Sequence, residues 1–361
     1  MNTIRLKTEL LCRGARTDEA IDRGRRGGAG PAGGRCFTLP DETCVEIPLQ
    51  GKFVASSPFT LVQMDGNWQV LRDGKMLVKV KPVPRPRFYE KTTSDGTLMR
   101  KVAVLHGEDC LASTVYSKCV YWSSGNQCKF CGIELWRNER LIQKQPKQLG
   151  EVAEEAFKEG TVKHVTLTTG TPPAPDKGAL MLAEAAKAIK EHVNMPVHVQ
   201  LEPPKNTKFL ETLYYARVDT VGIHIESFDP KVLKHVCPVK SKVKDYFESW
   251  KSAVELFGEG QVSTFIIAGL GETDESILLG AEKAARMGVI PYLLPLRPIA
   301  GTVFEKVRPP TPRRMMKLYR SVAESLHAVG LDPTKCNAGC VRCGACSALR
   351  ETYLSKPQLI S

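Results

Sequence analysis

From residue 110 to residue 329, short apolar runs of strand character alternate with longer stretches whose apolar residues recur every three to four positions. The strand-like runs are Leu111–Tyr116, Val165–Thr168, Val197–Leu201, Thr220–Ile225, Val262–Ile267 and Pro291–Leu296. The helical stretches that follow them are Leu149–Lys158, Leu180–Val193, Thr207–Ala216, Lys244–Phe257, Ser276–Met287 and Met315–Val329. A strand-then-helix order repeated in this way predicts an α/β fold with a parallel sheet and right-handed crossovers. No Gly-x-Gly-x-x-Gly follows the first run, so the pattern predicts a partial (β/α)6 TIM-type barrel and not a dinucleotide-binding sheet. In such a barrel the chemistry gathers at the C-terminal ends of the strands, and functional residues are expected in the strand-to-helix loops.

Before residue 105 the pattern changes. Lys52–Val54, Phe59–Met64, Trp68–Leu71 and Met76–Val80 read as short strands, divided by the turn signals Asp65-Gly66-Asn67 and Asp73-Gly74. The Pro-rich stretch Lys81–Arg87 reads as a stiff connector. Arg23–Arg35 is rich in Gly and Arg and predicts a mobile segment. The expected organisation is a Gly/Arg-rich flexible arm over 1–44, a small antiparallel β unit with linker over 45–104, the barrel over 105–330 and a Cys-rich extension over 331–361.

Composition is that of an ordinary globular chain, with 42% hydrophobic and 25% charged residues in 361. No apolar run approaches the ~18 residues of a membrane span, and Arg5, Lys7 and Glu9 interrupt any signal-peptide core, so a soluble cytoplasmic protein is expected. The net charge of +12 lies mostly in the two ends of the chain. A near-neutral barrel without an aromatic-basic module disfavours nucleic acid as the partner, while the basic ends keep RNA open as an alternative. Twelve cysteines change the picture more than the charge does. In a reducing compartment, tight clusters of thiols read first as metal sites.

Cys119, Cys128 and Cys131 fall in the loop after the first barrel run. Three thiolates with no fourth nearby suit a [4Fe-4S] cluster with one iron left open, whereas structural zinc needs a fourth protein ligand. Cys110 starts the same strand, and nine residues of extended chain put it ~30 Å from Cys119. This loop resembles the radical SAM signature, Cys-x3-Cys-x2-Cys with an aromatic residue before the last cysteine. Phe130 stands at the aromatic position, and the first gap is eight residues instead of three, as in divergent members such as the Elongator-type catalytic subunit. The longer loop leaves room for contacts from Tyr121 or Trp122.

Other strand ends extend the resemblance. Thr168-Thr169-Gly170 stands where the family holds the amino group of S-adenosylmethionine (SAM), without the usual acidic residue. Glu226 and Ser227 stand where it places its ribose and methionine-carboxylate contacts, although Ser227 or Asp229 also reads as a helix cap. Phe265 to Glu272 is similar to Gly-x-Ile-x-Gly-x-x-Glu, with Ile267 against adenine, Gly269 allowing close backbone approach, Glu272 capping the turn and Phe265 replacing the leading Gly. Leu294–Thr302, with Leu296, is similar to the segment whose main chain contacts adenine in biotin-synthase-like members. The resemblance covers roughly 105–330. It implies a [4Fe-4S] cluster, SAM, a reductant such as ferredoxin or flavodoxin, and a small-molecule substrate. In overall character the chain is similar to biotin and lipoyl synthases. More narrowly, it resembles the radical SAM proteins of nitrilase-linked cyanide-assimilation gene clusters, which implies a place in nitrile or nitrogen metabolism.

Cys336, Cys340, Cys343 and Cys346 form a second run that repeats the Cys-x3-Cys-x2-Cys spacing, with Arg342 in place of the aromatic residue and no strands after it. The run predicts an auxiliary [4Fe-4S] cluster or a zinc site, or a set with one thiol left free to face substrate. The remaining cysteines read as unligated: Cys110 and Cys237 as small buried hydrophobes, and Cys12, Cys36 and Cys44 as exposed thiols of the arm. His198 and His224 read as core histidines on strands, His224 being the better candidate for function because of Glu226. Lys234, Lys240 and Arg297 read as solvated surface charges, with pairing to the cofactor carboxylate or to an anionic substrate as the alternative. Two other classes stay open at this stage: radical SAM modification of tRNA, and a non-catalytic zinc-binding scaffold.

Overall fold

The structure is a computed structural model, describing residues 2–25, 32–136 and 141–355. Its centre is a seven-stranded sheet in the order β12-β11-β10-β9-β8-β7-β6. The strands are β6 (Val104–His106), β7 (Cys110–Tyr116), β8 (His164–Thr169), β9 (Val197–Leu201), β10 (Thr220–Ile223), β11 (Val262–Ala268) and β12 (Val289–Pro295). β7 to β12 run parallel and β6 closes the edge as an antiparallel hairpin with β7. A curled half barrel of this kind is the partial TIM-type fold that the alternating pattern predicts.

Helices α4 (Pro146–Lys158), α5 (Ala179–His192), α6 (Lys208–Tyr215), α8 (Val243–Phe257), α9 (Asp274–Arg286) and α10 (Pro312–Ala328) cover the outer face. Each turns an apolar stripe inward, such as Leu149, Val152, Ala153 and Ala156 of α4, and packs it on the outward side chains of the strands, such as Leu111, Val165 and Val197. The inward positions alternate with these: Cys110 and Ala112, Thr166 and Thr168, Gln200, and Tyr292 and Leu294 line the lumen. Short helices α2 (Met99–Val102), α3 (Val120–Ser123) and α7 (Pro230–His235) occupy connections.

The N-terminal region differs from expectation. Helix α1 (Thr3–Arg13) is capped by the Asn2 side chain, and Leu6, Leu10 and Leu11 are buried in the core of the five-stranded sheet. Lys7 is fully buried and bonds to Glu351 at 2.8 Å and to the Gly344 carbonyl at 2.9 Å. The antiparallel sheet has the order β2-β1-β5-β4-β3, built from β1 (Gly34–Thr38), β2 (Cys44–Pro48), β3 (Phe59–Met64), β4 (Asn67–Arg72) and β5 (Lys75–Pro82). Residues 1–44 are therefore not one flexible arm: α1 gains its order from apolar contacts distant in sequence, and β1 pairs with both β2 and β5. Part of the Gly/Arg stretch, 26–31, lies outside the described residues. Cys12, Cys36 and Cys44 are 3%, 7% and 8% exposed, so they are buried thiols and not the exposed thiols of an arm. The strand expected at Lys52–Val54 is instead a turn leading into a 3-10 helix at Val54–Ser56, and β5 takes in the start of the Pro-rich connector.

The C-terminal residues fold back onto the barrel as α11 (Gly339–Cys343) and α12 (Leu349–Leu354). Gly339 donates its N–H to His164 Nδ1 at the start of β8, and Thr220 at the start of β10 donates to the Ala338 carbonyl. The segment thus closes the N-terminal end of the strands. Among the described residues no helix is long and apolar enough to cross a membrane.

Candidate functional site

A cavity of about 310 Å³ runs inside the barrel. At its upper end, where the strands finish, it is lined by Cys119, Cys128, Phe130 and Cys131, by Thr168, Thr169 and Gly170, and by Glu202, Glu226, Lys240, Ile267 and Leu296. All three cysteines of the central loop thus face one space together with the strand-end residues singled out from the sequence. Ser227 and Gly269 do not line it. The Ser227 hydroxyl accepts the Asp229 N–H at 3.1 Å ahead of α7, and Gly269, with φ of +107°, serves the turn after β11. There Glu272 accepts the N–H groups of Gly269 and Leu270 at 2.9 and 2.7 Å and pairs with Arg314 at 2.7 Å.

Backbone bonds position the cysteine loop. The Cys119 N–H donates to Glu134 at 2.8 Å, Val120 N–H to the Thr171 carbonyl at 2.9 Å, and Lys129 N–H to the Val236 carbonyl at 3.0 Å. Gly170 explains how the loop comes so close to β8: a Cβ there would overlap the Lys118 carbonyl oxygen. Burial, with the neighbouring Cys128 and Cys119 charges, pushes the Cys131 thiol up to about 12. Cys237, read from the sequence as functionless, is fully buried and hydrogen-bonded to Cys128.

The charged groups at this end were largely hidden in the sequence. Lys240 is buried, not a surface charge; its Nζ donates to Glu226 at 3.2 Å and to the His224 carbonyl at 2.5 Å. Glu226 adopts φ of +71°, costing about 1–2 kcal/mol for a non-glycine residue, and bridges to β11 through its own N–H and carbonyl. Its second carboxylate oxygen is buried without a partner. The Tyr121 hydroxyl donates to Glu202 at 3.0 Å and accepts from Lys177 at 3.1 Å. Glu202, just past β9, was findable by the strand-end rule applied to every carboxylate.

His224 stacks on Phe265 at 3.6 Å and accepts the Phe265 N–H on Nδ1 at 3.1 Å, which leaves Nε2–H as an unpartnered donor. His198 bonds Thr220 through Nδ1 at 2.7 Å and is pushed down to about 3 by burial. Arg297 is not a surface charge either: it donates to the Glu46 carbonyl at 2.8 Å. Lys234 is exposed on α7.

Residues 125–282 match the model of the Radical SAM superfamily, a span that begins between Cys119 and Cys128 and ends in α9. Over that span, less than half of the chain, the sequence is similar to the radical SAM superfamily. Among curated proteins, the chain is 23% identical over 255 residues to the bacteriochlorophyllide c C-7(1)-hydroxylase of Chlorobaculum limnaeum, covering 64% of this chain and 63% of that protein. It is 29% identical over 156 residues to the lipoyl synthase of Caldanaerobacter subterraneus subsp. tengcongensis, covering 42% of this chain and 52% of that one. The matched span is thus less than two thirds of either relative. Among solved structures, methylornithine synthase aligns with a TM-score of 0.49 at 18% identity, over 62% of this chain and 63% of that one. The FeFe-hydrogenase maturase of Carboxydothermus hydrogenoformans aligns with a TM-score of 0.48 at 20% identity, over 61% of this chain and 51% of that one.

The superfamily whose model is matched is one of [4Fe-4S] clusters and SAM, and the upper cavity presents three thiols and a set of polar strand-end groups of the kind such cofactors require. Among the described residues no three His, Cys, Asp or Glu side chains are drawn to the spacing of a single-ion cage. The loop thiols instead face a shared void. The orphaned Glu226 oxygen offers an acceptor where a hydroxyl or ammonium donor is missing.

Proposed function

We propose that this chain is a radical SAM enzyme that holds its catalytic cluster on Cys119, Cys128 and Cys131 and acts on a small molecule inside the barrel. The observation that carries this reading is the convergence of the three loop thiols and the unpartnered Glu226 oxygen on one cavity. When bound, the cluster and SAM supply a 5′-deoxyadenosyl radical after one-electron reduction by a donor such as ferredoxin or flavodoxin.

The chain's own residues do the rest. Phe130, Ile267 and Leu296 provide an apolar wall for adenine, while Thr168, Thr169 and the Gly170 backbone offer oxygens to an amino group. Glu226, positioned by its 3.2 Å contact with Lys240, turns its second carboxylate oxygen to ribose hydroxyls. Below them, His224 Nε2–H donates to the substrate, and the stacked Phe265 fixes the ring. A cavity of this size suits a small molecule. The resemblance to nitrilase-linked radical SAM proteins supports a place in nitrile or nitrogen metabolism. At the other end of the lumen, thiols of the C-terminal run support a second metal centre.

Anaerobic reconstitution with iron, sulfide, SAM and dithionite tests this reading. Wild-type protein is expected to release 5′-deoxyadenosine, measured by mass spectrometry, and Cys128→Ala to release none. A fully loaded wild-type protein that makes none overturns the reading, and a Cys128→Ala variant that still makes it overturns the ligand assignment.

A further inference from the structure

The lower half of the cavity is also lined by cysteines, and they are not the four of the C-terminal run. Cys340, Cys343 and Cys346 face it, and so does Cys110 at the start of β7. Cys336 lines no part of it. It is 5% exposed, packs in the apolar layer that holds Leu331 and Val341, and turns its thiol to the Ala338 carbonyl at 3.3 Å.

The four lumenal thiols are set around a common space. Cys340 Sγ accepts from Gln200 Nε2 at 3.4 Å, Cys346 Sγ lies 3.5 Å from His106 Nε2, and Cys110 Sγ lies 3.2 Å from Thr166 Oγ1. Cys343 presses on the turn between β6 and β7 at Gly107, where a Cβ would overlap its sulfur. Electrostatic reach alone does not separate the candidates, since Cys336 also acts on Cys340 and Cys44 on Cys343; the shared lining of the lumen singles out Cys110, Cys340, Cys343 and Cys346. Cys340-x2-Cys343-x2-Cys346 supplies three thiols from one short helix and the turn after it, a spacing typical of iron–sulfur ligation. The hairpin thiols Cys36 and Cys44 are 2.6 Å from each other and do not line this cavity.

The charge around the site suits an anionic cluster. Lys7, fully buried, and Arg297 both act on Cys346, and Arg25 reaches the same end of the cavity. Glu46 and Glu351 balance part of this positive charge. Buried cations of this kind persist when an opposite charge meets them.

We propose that Cys110, Cys340, Cys343 and Cys346 hold a second [4Fe-4S] cluster at the lower end of the lumen, with the strand thiol Cys110, and not Cys336, as the fourth ligand. The assignment rests on the reading of a second metal centre at the C-terminal cysteines and specifies its ligands. It sets two clusters at opposite ends of one cavity with the substrate between them.

The test uses the full chain with the upper ligands replaced, Cys119→Ser/Cys128→Ser/Cys131→Ser, reconstituted anaerobically and assayed for iron, acid-labile sulfide and zinc. This parent is expected to keep about four irons and four sulfides per chain. Adding Cys110→Ser is expected to lower the iron content at least twofold or to shift the g-values of the reduced cluster in EPR, while adding Cys336→Ser changes neither. Circular dichroism and the thermal midpoint of each variant separate ligand loss from misfolding, and Cys110→Ala repeats the measurement without an oxygen donor. Loss of the cluster in Cys336→Ser with retention in the folded Cys110 variants overturns this ligand set and leaves the second centre standing. A parent that binds no iron, or binds zinc in its place, overturns the second cluster itself, while 5′-deoxyadenosine formation by the wild type still decides the upper site separately.

Discussion

The two ends of the lumen are built differently. The upper thiols come from one loop, Cys119 to Cys131, tied down by backbone bonds to the neighbouring strand exits. The lower thiols come from β7 and from the C-terminal segment, and the supports around them come from further away still. Glu46 of β2 donates its N–H to the Ala345 carbonyl at 2.9 Å, and Lys7 of α1 bonds to the Gly344 carbonyl. The upper end is thus a local motif on a barrel, whereas the lower end is a tertiary assembly that needs the N-terminal sheet and α1 in place. In this chain the N-terminal unit acts as part of the wall of the lower site.

Buried charge is the strongest difference to break. At the upper end, Lys240 and Glu226 have side chains about 10% exposed and face each other at 3.2 Å. Lys240→Met leaves the Glu226 carboxylate buried and unpaired and is expected to cost about 3–5 kcal/mol in denaturant unfolding, while Lys240→Met/Glu226→Leu recovers most of that loss. A single variant within 1 kcal/mol of wild type would show that this end is not held by its ion pair. The next effect is steric. Gly170→Ala drives a Cβ into the Lys118 carbonyl and is expected to cost about 3 kcal/mol, with the iron bound at the upper triad falling and that at the lower site unchanged. Equal loss at both sites would mean that the two ends are not separable.

The same contrast explains what could be read from the sequence. The strand and helix alternation was legible because each unit is amphipathic over its own length, as with Leu149, Val152, Ala153 and Ala156 in α4. The upper cysteines were legible because their spacing and their position after a strand are local facts. Helix α1 was not, since Lys7 in its buried face is matched by Glu351 and Gly344, more than three hundred residues away. Lys240 was hidden for a similar reason: it follows α7 in an unremarkable stretch, and its partner lies on the preceding strand exit. Cys110 was set aside because the length of β7 separates it from Cys119, and that same length carries it to the other end of the lumen. Spacing along a strand excludes one site and selects the other once the C-terminal segment is seen to close the barrel from below.

The smallest expected effect is also the most selective. Lys7 is fully buried but its partner Glu351 keeps 20% of its side-chain exposure, so Lys7→Met leaves a carboxylate that water still reaches. The expected cost is therefore nearer the worth of charged hydrogen bonds, about 2 kcal/mol, than that of an isolated buried charge. Its distribution should be uneven. Lys7 ties α1 to Gly344 between two of the lumenal thiols, so hydrogen exchange over Gly339–Leu354 is expected to accelerate while exchange over residues 117–133 stays as in the wild type. Acceleration at both ends would make α1 a support of the whole barrel, and no acceleration at either would remove it from the lower site. With the expected pattern, the N-terminal helix and the C-terminal cysteines form one cooperative unit, and the upper loop another.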